Sequence, residues 1–445
     1  MLIQSVEIEG FWGKFKASAK IFSDVTIFIG LNGTGKTTFI NLIVAALSAD
    51  FQQLDTLQFS LIKIKLIEPK KSKYRTVSVS REQHEDIPPF INIYSYKIGT
   101  KVYKLYSDSR LYNDLRDSRN RRVTSERFID SIIYTRVQPH ARQQYTDLKQ
   151  LLSSLVEISQ ISVYRSTSEI SEADPRQRGT AVDDRLQHLL QKFARYQLNL
   201  EAQLNERSIV FQKEAISSLL YNKEFDDFDG KKLKDISNID LKAEEDKLER
   251  AFKELGIEGM EQQINNHISK LRKAIEGLRE SLKEPTQHIT QDNFFAIPLI
   301  NRTNRIIDLL NKSEEDKRKI TEPRQKFFDT LQSFMITKKF DYNKKTSELY
   351  FFIDKNSSIK LSCTDLSSGE KQLLIQFMEV LLQESRSLIF IADEPELSLH
   401  VSWQEKILKT LRELNSNAQV IVATHSPDIV AEYRANVIDM EDVIS

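Results

Sequence analysis

Eight residues near the amino end, Gly30-Leu31-Asn32-Gly33-Thr34-Gly35-Lys36-Thr37, limit this chain more than any other stretch. They match the P-loop pattern in full. The run Val25-Thr26-Ile27-Phe28-Ile29 enters the loop, and its apolar, β-branched character suits a buried strand. Phe39, Ile40, Leu42, Ile43 and Ala46 follow at helical spacing. Strand, loop and helix in that order raise the pattern above a chance glycine loop. The residue types explain themselves chemically. Glycines let backbone N–H groups curl round a phosphate. The Lys36 ammonium reaches the outer phosphates, and the Thr37 hydroxyl can be offered to Mg²⁺. Phe11 and Trp12 lie just before this unit, where an aromatic could stack on a base or simply fill a turn.

A second constrained stretch runs from Asp365 to Leu399. Leu388-Ile389-Phe390-Ile391-Ala392 is short and wholly apolar, as in a strand covered on both faces of a parallel sheet. It ends in Asp393-Glu394, at the strand end where open α/β folds bind ligands. Two adjacent carboxylates there are costly unless they hold a metal or move a proton. Leu366-Ser367-Ser368-Gly369-Glu370-Lys371-Gln372 opens a helix that Ser367 or Ser368 can cap, and Gly369 permits a close backbone approach. A third strand, Val420-Ile421-Val422-Ala423, runs into Thr424-His425-Ser426-Pro427.

Between these ends the pattern changes twice. Residues 56–106 alternate like successive antiparallel strands, a meander with one wet and one dry face. Arg119, Arg121 and Arg122 lie in a charged run that reads as a solvated loop, and Ile158 to Tyr164 reads as a further strand. From Val182 to Lys283 the chain is polar and helical. Leu186, Leu189, Phe193, Tyr196 and Leu200, then Ile264, Ile268, Leu271, Ile275, Leu278 and Leu282, step by threes and fours. Two short coiled-coil arms are expected, turning near Gly230 and ending at Glu284-Pro285. At ~1.5 Å per residue such an arm reaches about 50 Å.

The order of these elements resembles the nucleotide-binding domain of ABC-type ATPases. On that resemblance Gly30 to Thr37 is Walker A, Leu366 to Gln372 the signature, Leu388 to Glu394 Walker B, Glu396 to His400 the D-loop region, and His425 the switch histidine. The likeness covers the two ends of the chain and not its middle. It implies ATP and Mg²⁺ as cofactors. Asn32, Gly33, Gly35, Lys36, Thr37 and Thr38 would bind the nucleotide, Thr37 and Asp393 the metal. Glu394 would activate the attacking water and His425 sense the γ-phosphate. It also implies a homodimer or higher homo-oligomer paired head to tail, in which Ser368 and Gly369 of one copy cap the ATP on the other's P-loop. The family's Q-loop glutamine has no clear motif here; Gln138 and Gln160 are candidates.

The expected fold is therefore α/β: a P-loop sheet and an antiparallel meander, interrupted by a helical, short coiled-coil insertion. Its parts are an N-terminal lobe over 1–165, the insertion over 166–340, and a C-terminal lobe over 341–445. So long an insertion is foreign to transporter ATPases, and SMC-type arms are usually longer. The meander, DLSSGEKQLL and DEPELSLH are similar to ATPases of bacterial anti-phage systems: the ATPase subunits of PARIS and Septu, and the ATPase half of OLD-family nucleases. That resemblance implies a sensor or scaffold that controls a separate effector nuclease of Toprim or HNH type, with a phage protein as trigger. Twenty residues after His425 would not hold a Toprim domain, so the effector is expected on another chain. The alternative is an SMC-like repair ATPase clamping nucleic acid between its arms. Composition bears on both. Lys+Arg and Asp+Glu each number 64, so no global field draws the chain to nucleic acid or membrane. One cysteine, no signal peptide and no membrane-length apolar run point to the cytoplasm.

Overall fold

The computed structural model describes residues 1–68, 73–82, 90–108, 141–162, 181–218, 220, 241–255, 259, 261–283, 291–353, 359–384, 386–430 and 432–445. The sequence features at Arg119, Arg121, Arg122, Gln138, Gly230 and Glu284-Pro285 lie outside these residues.

The chain opens with β1 (Leu2–Phe11) and β2 (Phe15–Lys20), joined by a turn in which Gly13 N–H donates to the Gly10 carbonyl at 2.8 Å. β3 (Val25–Ile29) leads through the P-loop into α1 (Lys36–Ser48), and α2 (Phe51–Thr56) follows. The meander is β4 (Leu61–Glu68), β5 (Lys73–Glu82), β6 (Ile91–Ile98) and β7 (Lys101–Asp108). Next come α3 (Ala141–Leu155) and β8 (Ile158–Ser162), then the helices α4 (Ala181–Ser217), α5 (Leu241–Glu254), α6 (Glu261–Lys283) and α7 (Gln291–Phe334). β9 (Lys338–Tyr342), β10 (Leu349–Ile353) and β11 (Leu361–Ser362) make a small antiparallel sheet. The chain then runs through α8 (Ser368–Leu381), β12 (Leu388–Asp393), α9 (Val401–Leu414), β13 (Ala418–Ala423) and β14 (Val437–Asp439).

Two larger sheets share one core. The parallel sheet has the order β14-β3-β13-β12-β8, so the P-loop strand and the strand ending at Asp393 are separated by the strand that leads to His425. Ile27, Phe28, Ile389, Phe390, Ile391, Ile421, Val422 and Ala423 are all fully buried, which explains their unbroken apolar runs. The antiparallel sheet has the order β2-β1-β4-β5-β6-β7. On β4, Ile62, Ile64 and Leu66 face the core while Lys63 and Lys65 face solvent. The meander's alternation is thus a wet face and a dry one, as the sequence suggested. Its dry face, α1, α3 and the parallel sheet all contribute to a single apolar cluster.

Gln419 on β13 pins the two sheets together. Its Oε1 accepts from Ile3 N at 2.8 Å, and its Nε2 donates to the carbonyls of Ile3 and Phe22, both at 2.7 Å. The side chain is fully buried, and the two Ile3 groups would otherwise be orphaned away from water.

The chain divides into two compact units, Met1–Ala194 with Lys326–Ser445, and Arg195–Gln325. Leu186, Leu189, Phe193 and Leu200 on α4, and Ile264, Ile268, Leu271 and Ile275 on α6, are buried as their spacing predicted. The second arm differs from expectation: the helix stops at Glu254 and restarts at Glu261, with Gly259 at φ 77° between. The return path is the 44-residue α7, which contains Pro323 three positions before the unit boundary at Lys326. A proline there removes one helical hydrogen bond without ending the helix. In the second unit Phe211, Ala215, Ala251, Leu309 and Leu310 form a small core of their own.

Replacing Gln419 by Leu keeps the volume and strands two buried backbone groups of Ile3, besides the partly exposed Phe22 carbonyl. At 1–3 kcal/mol for each buried stranded group, the variant should lose about 2 kcal/mol or more of unfolding free energy. The midpoint of urea denaturation measures it; an unchanged midpoint would remove Gln419 as the pin.

Candidate functional site

The site is built on the carboxyl edge of the parallel sheet. Register sets it: Ala423 pairs with Phe28 on one side and with Asp393 on the other, and Asp393 pairs with Ser162. The ladder continues one step past the strands, with Thr424 N–H donating to Phe28 at 3.1 Å and Glu394 N–H to Ala423 at 2.8 Å. Four strands therefore end in one row, and their following residues share one edge.

The P-loop leaves this row from β3. Leu31, Asn32 and Gly33 are exposed at its crest, whereas Gly35 and Lys36 are buried. Gly35 sits at φ 90°, and a Cβ there would come within 2.9 Å of Trp12 Cζ2 and 3.0 Å of the Phe11 ring. Only glycine passes between this aromatic pair and the loop. Phe11 is a core residue, while Trp12 stays 38% exposed. Lys36 Nζ donates to the carbonyls of Gly30 (2.8 Å) and Leu31 (3.0 Å). Burial pushes its pKa below the ordinary lysine value, against the pull of Glu394, Asp393 and Asp439 toward the charged form.

Thr37 lies in the first turn of α1, and its Oγ1 donates to Asp393 Oδ1 at 3.1 Å, a contact bridging 356 positions of sequence. Two hard oxygens so placed suit Mg²⁺, since neighbouring ligands at its 2.0–2.1 Å bond length in an octahedron lie about 3 Å apart. Glu394 follows with φ 50°, a left-handed conformation that a glutamate rarely adopts. His425 Nε2 stands 3.8 Å from Glu394 Oε1, with both side chains about one-third exposed. Lys36, Thr37, Asp393, Glu394 and His425 are thus brought to one edge from opposite ends of the chain.

Ser368 and Gly369 stand elsewhere: among the described residues, no hydrogen bond or ion pair joins them to the P-loop. Ser367 caps α8, with Glu370 Oε2 accepting from its N–H at 3.0 Å and its hydroxyl at 2.8 Å. Burial alone would raise the Glu370 pKa, but Lys338 and Ser367 outweigh it and hold the carboxyl below its usual range. Ser368 is exposed, while Gly369 is buried beneath the Ser398 carbonyl, which a Cβ would strike. Gly369 therefore has a reason within this chain to be glycine, one the sequence did not disclose.

Asp439, Glu396 and Gln404 also belong to the site and were given no role from sequence, whereas Gln160 was a Q-loop candidate. Asp439 ends β14 opposite Ile29 and bears on Lys36; no motif marks it. Glu396 and Gln404 hold the Thr424–Ser426 turn, and only the position of Glu396 in the D-loop region hinted at that. Gln160 lies on β8 two residues before the row and donates to Asn41 Oδ1 on α1 at 3.1 Å.

The AAA ATPase domain family matches residues 1–430. A probable ATPase of retron Ec83 from Escherichia coli is 29% identical over 152 residues, which is 27% of this chain and 28% of that one. The likeness thus spans little more than a quarter of that curated relative. Among solved structures, the Smc head domain with an extended coiled coil from Pyrococcus furiosus, bound to the C-terminal domain of ScpA, aligns over 98% of this chain and 93% of that one, with TM-score 0.43 and 14% identity. The SMC head domain from Thermotoga maritima aligns over 97% and 92%, with TM-score 0.37 and 11% identity.

Gly369→Ala tests the close approach at the start of α8. The added methyl must displace the Ser398 carbonyl, so unfolding free energy should fall by about 1–3 kcal/mol. Chemical denaturation of the variant reads it, and a gain in stability from the better helix former would contradict the packing described.

Proposed function

The chain belongs to the AAA ATPase domain family, and we propose that within it this protein binds ATP with Mg²⁺ and hydrolyses it. The observation that carries this is the Thr37–Asp393 contact at 3.1 Å, with Lys36, Glu394 and His425 at the same strand edge. Backbone N–H groups from Asn32 to Thr38 cradle the phosphates at the positive start of α1. Lys36 leaves the carbonyls of Gly30 and Leu31 to meet the outer phosphates. Thr37 and Asp393 would hold Mg²⁺, which would supply positive charge against the phosphates. Glu394 accepts the proton of the attacking water, and His425 reads the terminal phosphate.

Hydrolysis takes place between two copies of the chain paired head to tail. This is supported by the exposed P-loop crest and by the exposed Ser367 and Ser368 at the start of α8. Ser368 and Gly369 of one copy close over the triphosphate held by the other. ATP would then control the association of the copies, and hydrolysis their release.

In the cell the protein serves as a sensor or scaffold of an anti-phage system that holds a separate effector nuclease. The likeness to a retron ATPase supports the defence setting. The formal charge of +0 gives no field that would favour the nucleic-acid clamp instead.

Lys36→Ala should abolish ATP binding in calorimetry. Glu394→Gln should still bind ATP but lose turnover by about 100-fold or more, and should accumulate as the paired species in light scattering. If Glu394→Gln turns ATP over at the wild-type rate, another group is the base.

A further inference from the structure

Glu396 follows the acid pair by two residues, and its carboxylate is spent on a single turn. Oε1 accepts from the Thr424 hydroxyl, from His425 N–H at 3.2 Å and from Ser426 N–H at 3.3 Å. Oε2 is buried with no hydrogen-bond partner. One oxygen thus holds the His425 N–H and the Thr424 hydroxyl and shares the Ser426 N–H, whose nearer acceptor is Thr424 Oγ1 at 2.9 Å; Thr424 itself is fully buried. Gln404 on α9 adds a second tie. Its Oε1 accepts from Ser426 Oγ at 2.8 Å, and its Nε2 donates to the Leu399 carbonyl at 3.0 Å. The segment carrying Glu396 is itself fixed: Gln376 Nε2 donates to the Pro395 carbonyl at 3.0 Å, and Leu397 N–H to the Glu394 carbonyl at 3.1 Å.

The turn that carries His425 therefore leans on the segment that carries Glu394. Without Glu396 nothing named here holds the backbone of His425, whose ring touches only Glu394 among its described partners. We propose that Glu396 is a positioning residue for ATP hydrolysis, fixing His425 relative to Glu394 by gripping the backbone N–H groups of the Thr424–Ser426 turn. It never reaches the nucleotide, so binding does not depend on it and turnover does. What the grip needs is an oxygen acceptor at Oε1, not the negative charge. This rests on the ATPase reading above.

The test uses the full chain with Glu396→Ala, Glu396→Gln, His425→Ala and the Glu396→Ala/His425→Ala pair. Displacing a positioned group costs up to about 100-fold, so Glu396→Ala should lower kcat by about 10- to 100-fold, with ATP affinity in calorimetry changed less than about threefold. Glu396→Gln keeps the acceptor oxygen and should stay within about threefold of wild type, since neither geometry nor binding changes. The double variant should be no slower than His425→Ala by more than about threefold, because residues acting as one unit do not add. Independently of turnover, hydrogen exchange at the His425 and Ser426 amides should speed up in Glu396→Ala and not in Glu396→Gln. Multiplying losses in the double variant, or faster exchange with unchanged kcat, overturns the proposal. So does a kcat loss in Glu396→Gln as large as that expected of Ala, a result that stands even if the Ala variant does not fold. A wild-type chain that turns over no ATP overturns the ATPase reading and the catalytic half of this proposal, whereas unchanged amide exchange overturns the positioning half alone.

Discussion

The register of β3, β13 and β12 fixes where Phe28, Ala423 and Asp393 end, and everything at the site depends on that row. A parallel ladder has no freedom to slide by one residue, because each strand is buried on both faces and a slip would turn every side chain over. The P-loop, the acid pair and the histidine turn are each the next few residues after a strand. Aligned strand ends are therefore enough to assemble groups that lie hundreds of positions apart. Gln419 protects this alignment from the other direction, by tying β13 to Ile3 of β1 with two hydrogen bonds and to the Phe22 carbonyl with a third.

An aligned edge carries an electrostatic burden. Asp393, Glu394 and Asp439 all bear on the buried Lys36. Positive charge on the lysine would make clustered carboxylates tolerable, and the carboxylates pull it toward that charged form against burial, which pushes its pKa down. The backbone shows a related tension. Glu394 and Ser398 both occupy left-handed conformations, φ 50° and φ 68°, and Ser398 presses its carbonyl onto Gly369. Strain of this kind persists only where surroundings over-determine it. Here Gln376, Gln404 and the hydrogen bonds around Glu396 do so for the short segment between the acid pair and α9.

Much of this was legible in the sequence because it rests on local pattern. The P-loop, the apolar strands, the meander's alternation and the buried stripes on α4 and α6 each follow from residue spacing. What was not legible is long-range. Asp439 matters only because β14 pairs with β3, and nothing near Asp439 announces that pairing. Gly369 looked like a ligand-facing glycine, whereas its tightest neighbour is Ser398 of the same chain. The break between α5 and α6 was missed because the heptad-like steps resume after Glu261 with the same period. The 44-residue α7 continues through Pro323, a residue that ordinarily argues for a helix end.

Helix α8 links the site to the chain on either side of the second unit. Lys371 pairs with Asp183 in the first turn of α4 at 2.7 Å. Arg185, one half-turn on, pairs with Glu379, which also accepts from Ser159 on β8 at 3.1 Å. Lys338, at the start of β9 just after α7, pairs with Glu370. The segment entering the second unit and the segment leaving it are thus both fastened to the helix that begins at Ser368 and Gly369. Each pair is only partly exposed, so its attraction is screened less than that of a surface pair. Breaking one would leave a desolvated charge behind. A shift of α8 that keeps these pairs must carry the roots of α4 and β9 with it. Whatever moves the start of α8 is in that way mechanically continuous with the polypeptide that enters and leaves the inserted helices.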